Sequence, residues 1–340
     1  MRTDLQEAKR FLSFDEEKFV ETFDILRDAW KNQRNVFSTK NTSPHSVLPE
    51  GVERGSEEHA RFLFTSAGPD IFTVSDNLFK NLIKLHKEKP EFFDPLHNYK
   101  TDRGKLEIRE KLTKHGKKVI KVVPPTLDKI CEEDLELGLH EQAALGIYKT
   151  SRKIVKWYDG KASNVLKDVT DPQVAYRRLD IGRSKEPVLE LKNDTSSPRF
   201  GGMGWKTGTL LVMWLAEAGF VKDTDETSMY VPIDNHCFNI LLGREIIKVE
   251  DGARVQKVTR YAQEAIRDVT IRRGISAIDW HYYQWPLGHN VCTYNDGCSR
   301  KNDDEKKLCP FPDVCKYFLD VGEYRKGFIK PVENNLNILL

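Results

Sequence analysis

Six apolar residues in a row, Leu210-Leu211-Val212-Met213-Trp214-Leu215, follow a glycine hairpin that reads Phe200-Gly201-Gly202-Met203-Gly204-Trp205-Lys206-Thr207. A run of this kind offers no polar stripe to water, so it predicts a buried helix, closed by Gly219. Three glycines in four residues let the preceding backbone take conformations closed to other residues and approach a ligand closely. Free amides at the helix start would face outward, a ready site for phosphate. Lys206 falls in the first turn, where the helix dipole disfavours its positive charge. A lysine with a lowered pKa is a usable amine nucleophile. The hairpin thus predicts both a ligand, a phosphate backbone, and a chemistry, Schiff-base formation.

Elsewhere strand signals are scarce, and the pattern predicts helices broken by short loops, a mainly α fold. Glu16–Lys31 carries Phe19, Phe23, Ile25, Leu26 and Trp30 at helical spacing. Helices are also expected over 57–65, over 75–87 with Ser75 as cap, over a basic stretch 106–118, and over 127–139, 142–158, 160–169 and 173–179. Another is expected after Asp234, and a long amphipathic one covers 255–272. Residues 32–56 read as loop, and 180–199 are too charged and proline-broken to assign. The expected organisation is an N-terminal helical region, 1–125; a helical domain with the hairpin and Asp234, 126–245; a helical segment and cysteine loop, 246–320; and a tail, 321–340.

Hydrophobic residues make up 39% of the 340-residue chain and charged residues 31%, the balance of a soluble globular protein. No apolar stretch reaches membrane-spanning length, since 210–220 is short and interrupted by Glu217. The N-terminus is too charged for a secretory signal, so a cytoplasmic, nucleoid-associated location is expected, or a nuclear one in a cell with a nucleus. A net charge of +2 hides an uneven stretch, Lys100 to Lys121, where nine Lys or Arg stand against Asp102, Glu107 and Glu110. That excess permits a polyanion without arguing for one, and its simpler reading is the solvated face of a helix.

Six cysteines divide into two kinds. Cys131 and Cys237 are isolated in helical context and read as small buried hydrophobes. Cys292, Cys298, Cys309 and Cys315 crowd one polar segment with spacing C-x5-C-x10-C-x5-C. Four thiolates hold a tetrahedral zinc or an iron–sulfur cluster, and pairs wider than the usual zinc spacing favour the cluster. Between hairpin and cysteines lies Val231-Pro232-Ile233-Asp234-Asn235-His236, ahead of an apolar run. Asp234 is placed to cap that helix. Taken together with Lys206 it is also the carboxylate that an amine nucleophile needs to manage protons and to stabilise a cationic sugar.

Taken in order, these elements resemble the endonuclease III branch of the helix-hairpin-helix DNA glycosylases. The family's hairpin, similar to L-P-G-V-G-x-K-T-A, is matched by F-G-G-M-G-W-K-T-G from Phe200 to Gly208, with Gly201 in place of the proline. Its V-D-T-H segment is matched by Ile233-Asp234-Asn235-His236, and its approach to the cluster by Pro286-Leu287-Gly288-His289-Asn290-Val291-Cys292. The family's cluster spacing is C-x6-C-x2-C-x5-C; here the last gap is kept and the middle one carries a charged insert, 299–308. The resemblance spans roughly Ser197 to Phe318.

The resemblance implies a two-lobed helical glycosylase-type fold with a C-terminal four-cysteine iron–sulfur loop. It implies base-excision repair of double-stranded DNA carrying a damaged base or abasic site, with the nucleotide flipped into a pocket. Lys206 would attack sugar C1′ with Asp234 assisting, and β-elimination would come next. Gly202 and Gly204 amides would hold a phosphate, with Trp205, Thr207 and His236 as further DNA contacts; Trp205 equally packs the hairpin, and His236 equally serves the helix start. Cys292, Cys298, Cys309 and Cys315 would hold a [4Fe-4S] cluster, with zinc as the alternative. His281, Tyr282 and Tyr283 either line the base pocket or pack a helix near the cluster. A monomer is expected. The competing readings are a non-enzymatic DNA-binding protein with a structural zinc, and a monofunctional glycosylase that uses water.

Overall fold

The computed structural model describes residues 12–38, 47–67, 69, 75–112, 118–179, 205–292, 308–311, 313 and 315–333, and these are mainly helical. The chain divides into two compact units, Met1–Asn41 with Glu226–Leu340, and Thr42–Asp225. The first unit opens with β1 (Leu12–Phe14) and α1 (Glu16–Lys31), the helix that the apolar spacing predicts. Asp15 caps it by accepting the Lys18 N–H at 3.0 Å. Glu16 and Glu17 in the first turn and Lys31 in the last complement its dipole.

The Thr42–Asp225 unit holds α2 (Glu57–Ala67), α3 (Ser75–Glu88), α4 (Pro95–Asp102), β2 (Glu107–Leu112), β3 (Lys118–Val123), α5 (Pro125–Glu133), α6 (His140–Trp157), α7 (Pro172–Arg178) and α8 (Trp205–Glu217). Its core is a chain of rings: Phe62 meets Phe93 at 5.5 Å and Phe79 at 6.0 Å, and Phe79 meets Trp214 edge-on at 5.7 Å. All six residues of the apolar run are buried in α8, as their lack of a polar stripe requires. Gly219, at φ 85°, turns the chain out of that helix.

Two expected helices of this unit are something else. Residues 160–169 make only a 3-10 turn, Ala162–Leu166. Its leading amides, Ala162 N–H and Ser163 N–H, are taken at 2.8 and 2.9 Å by the Glu57 carboxylate, and Asp168 stops it at φ 63°. Burial alone would raise the Glu57 carboxyl, but hydrogen bonds from Ser163, Arg61 and Ala162 outweigh it and leave the group below its usual range.

The described part of the basic stretch, 106–112 and 118, is not a helix either. β2 pairs antiparallel with β3 in a ribbon, from Glu107 opposite Val123 to Leu112 opposite Lys118. Ile108 and Leu112 are spaced for a helix and also for one face of a strand. The β-branched Val119, Ile120, Val122 and Val123 decide the matter by supplying a partner strand. The inward face is pinned by charge: Arg109 donates to Asp128 at 2.6 Å, Lys121 pairs with Glu141, and His140 Nδ1 lies 2.6 Å from the other Asp128 oxygen.

Chain from Glu226 completes the first unit with α9 (Asn235–Gly243), β4 (Ile247–Val249), β5 (Ala253–Arg254), α10 (Val255–Arg273), α11 (Ala277–Asn290), β6 (Tyr317–Leu319), α12 (Val321–Arg325), β7 (Phe328–Ile329) and β8 (Pro331–Glu333). Strands among the described residues form two-stranded pairs only, β1 with β4, β2 with β3, β5 with β7 and β6 with β8. Trp280 of α11 is fully buried, 4.5 Å from the Phe19 ring and 6.4 Å from Phe23. That aromatic contact, the Leu12–Val249 to Phe14–Ile247 pairing, and ion pairs from Arg272 and Arg273 to Glu16 fasten the N-terminal segment to the C-terminal part. No helix among the described residues is long and apolar enough to cross a membrane.

Candidate active site and cysteine segment

Lys206 is the second residue of α8 and lies half-buried in its first turn. It is the sole charged residue of that helix ahead of Glu217. Its carbonyl accepts the Thr209 hydroxyl at 2.9 Å, which tightens the turn. Thr207, beside it, is buried. The hairpin residues Gly202 and Gly204 lie outside the described residues, as does the Trp205 side chain. Lys206 belongs to the Thr42–Asp225 unit and Asp234 to the other.

Asp234 is the N-cap of α9, with extended backbone and a side chain that accepts the Cys237 N–H at 2.9 Å. The chain leading into it is fixed, because Val231, Pro232 and Ile233 are buried and Gln263 Nε2 donates to the Val231 carbonyl at 2.8 Å. The helix behind it is equally fixed: Cys237, Phe238, Ile240, Leu241 and Leu242 are all buried. A half-exposed carboxylate is therefore held at the tip of an immobilised helix. Burial pushes the Cys237 thiol up, and the Asp234 charge adds to it; burial does the same to Cys131. Both are neutral packing groups, as their isolation in the sequence suggests.

His236 sits against α11. A methyl group placed on Gly288 would stand 2.7 Å from His236 Cβ, closer than any side chain tolerates. The His236 ring meets His289 edge-on at 5.9 Å, and His289 stacks on Trp285 at 4.9 Å. Gly288→Ala is expected to force α9 and α11 apart and cost about 1–3 kcal/mol, read as a lower urea midpoint. An unchanged midpoint would mean that the two helices separate freely. Tyr283, in contact with Phe23 and Trp30, has its phenol pushed up to about 12 by burial and by Asp279. His281 is buried too, while Tyr282 is half-exposed.

The cysteine-bearing segment returns to one face of α9. Asn239 Nδ2 donates to the Cys292 carbonyl at 3.3 Å, and Asn239 Oδ1 accepts the Leu319 N–H at 2.9 Å. One turn on, Gly243 packs against Cys315: a Cβ there would lie 2.8 Å from Cys315 Cβ and 2.9 Å from its Sγ. Cys309 is buried, and its carbonyl accepts Asn35 Nδ2 at 3.2 Å. Arg244 lies 4.4 Å over the Phe311 ring and 3.3 Å from Asp313, and its buried Nε has no hydrogen-bond partner among the described residues. Cys298 lies outside the described residues. Among the described residues, no three His, Cys, Asp or Glu side chains close into a metal cage.

Asn239 and Gly243 are supporting positions that sequence reasoning passed over, and Gly288 is one it quoted in a motif without giving it a role. The first two are one helical turn apart, which a search for short side chains facing the cysteines would have flagged. No family model matches the chain, and no curated protein matches it.

Proposed function

We propose that the chain is a base-excision DNA glycosylase with AP lyase activity, built on a helix-hairpin-helix glycosylase-type fold with a C-terminal iron–sulfur loop. The observation that carries this reading is Lys206: a half-buried cation in the first turn of a helix, where the dipole opposes it, ahead of a buried apolar run. Lys206 Nζ attacks C1′ of the flipped nucleotide, and the glycosidic bond breaks with its electron pair leaving on the base. The sugar ring then opens, O4′ taking a proton as its bond to C1′ breaks, and the Schiff base is left at C1′. Removal of a C2′ proton expels the 3′ phosphate, and hydrolysis returns the free amine. Asp234 takes the ammonium proton and offsets the positive charge on the sugar. Hairpin amides at Gly202 and Gly204 grip a phosphate and fix register without reading sequence.

Residues around the cysteines fit a thiolate-ligated group. Gly243 leaves room where any side chain would strike Cys315, and the Arg244 Nε–H is a buried donor with no partner among the described residues. Cys292, Cys298, Cys309 and Cys315 would hold a [4Fe-4S] cluster, whose contribution is to tie the C-terminal segment together. Purified protein is expected to be brown and to contain iron; colourless protein with a single zinc would move the reading to a zinc-stapled protein.

A non-enzymatic DNA-binding protein is the second reading, and the hydrogen bond from Cys237 to Asp234 favours it, since a cap needs no chemistry. The experiment that separates the two is borohydride reduction in the presence of duplex DNA with one abasic site. A lyase is captured as a covalent protein–DNA adduct, and a binding protein leaves none.

A further inference from the structure

A groove of about 310 Å³ opens in the Thr42–Asp225 unit where the 3-10 turn Pro90–Phe93, α4 and α5 meet. Its walls are held in place before any ligand arrives. Buried Asp102, at the end of α4, accepts the Thr126 and Leu127 N–H groups at 3.1 Å each and so fixes the start of α5 against α4. Lys89, just ahead of the turn, lies 2.7 Å from Asp134, just past α5, and ties the two walls a second time. The volume is at the lower end of the range for small-molecule sites.

The lining sets an apolar base beside acceptors that lack donors. Phe92 and Leu127 are buried there, and Ile130 is half-buried. Asn98 is 2% exposed, and its Nδ2 is committed to the Phe92 carbonyl at 2.6 Å. Its Oδ1 accepts from no described residue and stays open to the groove that Asn98 lines. Glu91, on the rim, is an exposed carboxylate that faces no cation among the described residues. The two lysines of the groove are already matched, Lys89 by Asp134 and Lys129 by Glu133 at 3.8 Å.

These groups select the occupant. An anion would have to displace Asp134 from Lys89 and would meet the Glu91 charge. An apolar molecule without donors would leave the Asn98 oxygen dry and unpaired, which is costly. A cation that carries several N–H donors on an apolar stem meets each requirement. Its head reaches the Asn98 oxygen and Glu91, and its stem lies on Phe92, Leu127 and Ile130. Guanidinium offers five N–H donors in a rigid fork and ammonium three on a compact charge.

We propose that this groove binds a small organic cation, a guanidinium or ammonium group on a short apolar stem, with Asn98 Oδ1 and the Glu91 carboxylate as its acceptors. The site shares no residue with the proposed lyase and does not depend on it. The test is isothermal titration calorimetry of the full chain with n-butylguanidinium, n-butylammonium, n-butanol and butyrate. Both cations are expected to bind at least about tenfold more tightly than the alcohol or the carboxylate. Glu91→Gln is expected to weaken the cations about tenfold and to leave butanol unchanged. Asn98→Ala is expected to weaken them at least as much; should it fail to fold by circular dichroism, Glu91→Gln decides alone. Acetylated, amidated arginine tells the source: affinity equal to that of butylguanidinium makes a peptide side chain the occupant, and weaker binding makes it a free cation. The proposal is overturned if neither cation binds, if butanol or butyrate binds as tightly as the cations, or if Glu91→Gln keeps wild-type affinity.

Discussion

Lys206→Ala is expected to abolish borohydride trapping on abasic DNA, a loss of at least about 10³-fold in adduct formation. Removing the nucleophile leaves no amine at the sugar, and no neighbouring hydroxyl substitutes for it in imine chemistry. Helix propensity and the helix dipole both favour the alanine. Alanine is the best helix former, and a cation in the first turn of α8 is opposed by the dipole by about 0.3–1 kcal/mol. A thermal midpoint that holds or rises while trapping vanishes is the pattern of a residue kept for chemistry. Lys206→Arg sharpens the test: it preserves the positive charge that draws phosphate but offers no amine nucleophile. It should bind abasic duplex as the wild type does and form no adduct. Trapping that persists undiminished in Lys206→Ala would remove this lysine from the mechanism.

Helix α1 was fully legible because Phe19, Phe23 and Leu26 mark one face and acidic residues mark its start, all local signals. The burial of α8 was legible because a run without polar residues has only one stable environment. The ribbon was not, because Ile108 and Leu112 suit a helix and a strand equally and only the distant partner strand decides. The three-residue pairing of β1 with β4 had no signal either: it joins Leu12–Phe14 to Ile247–Val249, and such short strands are defined by the tertiary contacts around them. At the candidate site, the sequence picked out Lys206, Asp234 and the cysteines by chemistry. It gave no part to Gly243 and Gly288, whose role is the space they leave, visible only once Cys315 and His236 are placed against them.

Asp234 offers two roles, and one substitution divides them. Asparagine caps a helix as well as aspartate does, so Asp234→Asn should still accept the Cys237 N–H and leave the thermal midpoint near that of the wild type. It cannot take a proton from Lys206, and it brings no charge to the sugar cation. Turnover on damaged duplex is therefore expected to fall about 10²–10⁴-fold, with duplex affinity near normal. Asp234→Ala removes the cap as well and should lose about 1 kcal/mol of stability in addition. The buried α9 behind the cap makes that loss measurable, since Cys237 through Leu242 cannot re-pair their leading amides with water. An asparagine variant with full turnover would leave Asp234 as a cap and nothing more. One that loses turnover at unchanged stability makes the carboxylate charge, and not the hydrogen bond, the reason that an aspartate stands at this helix start.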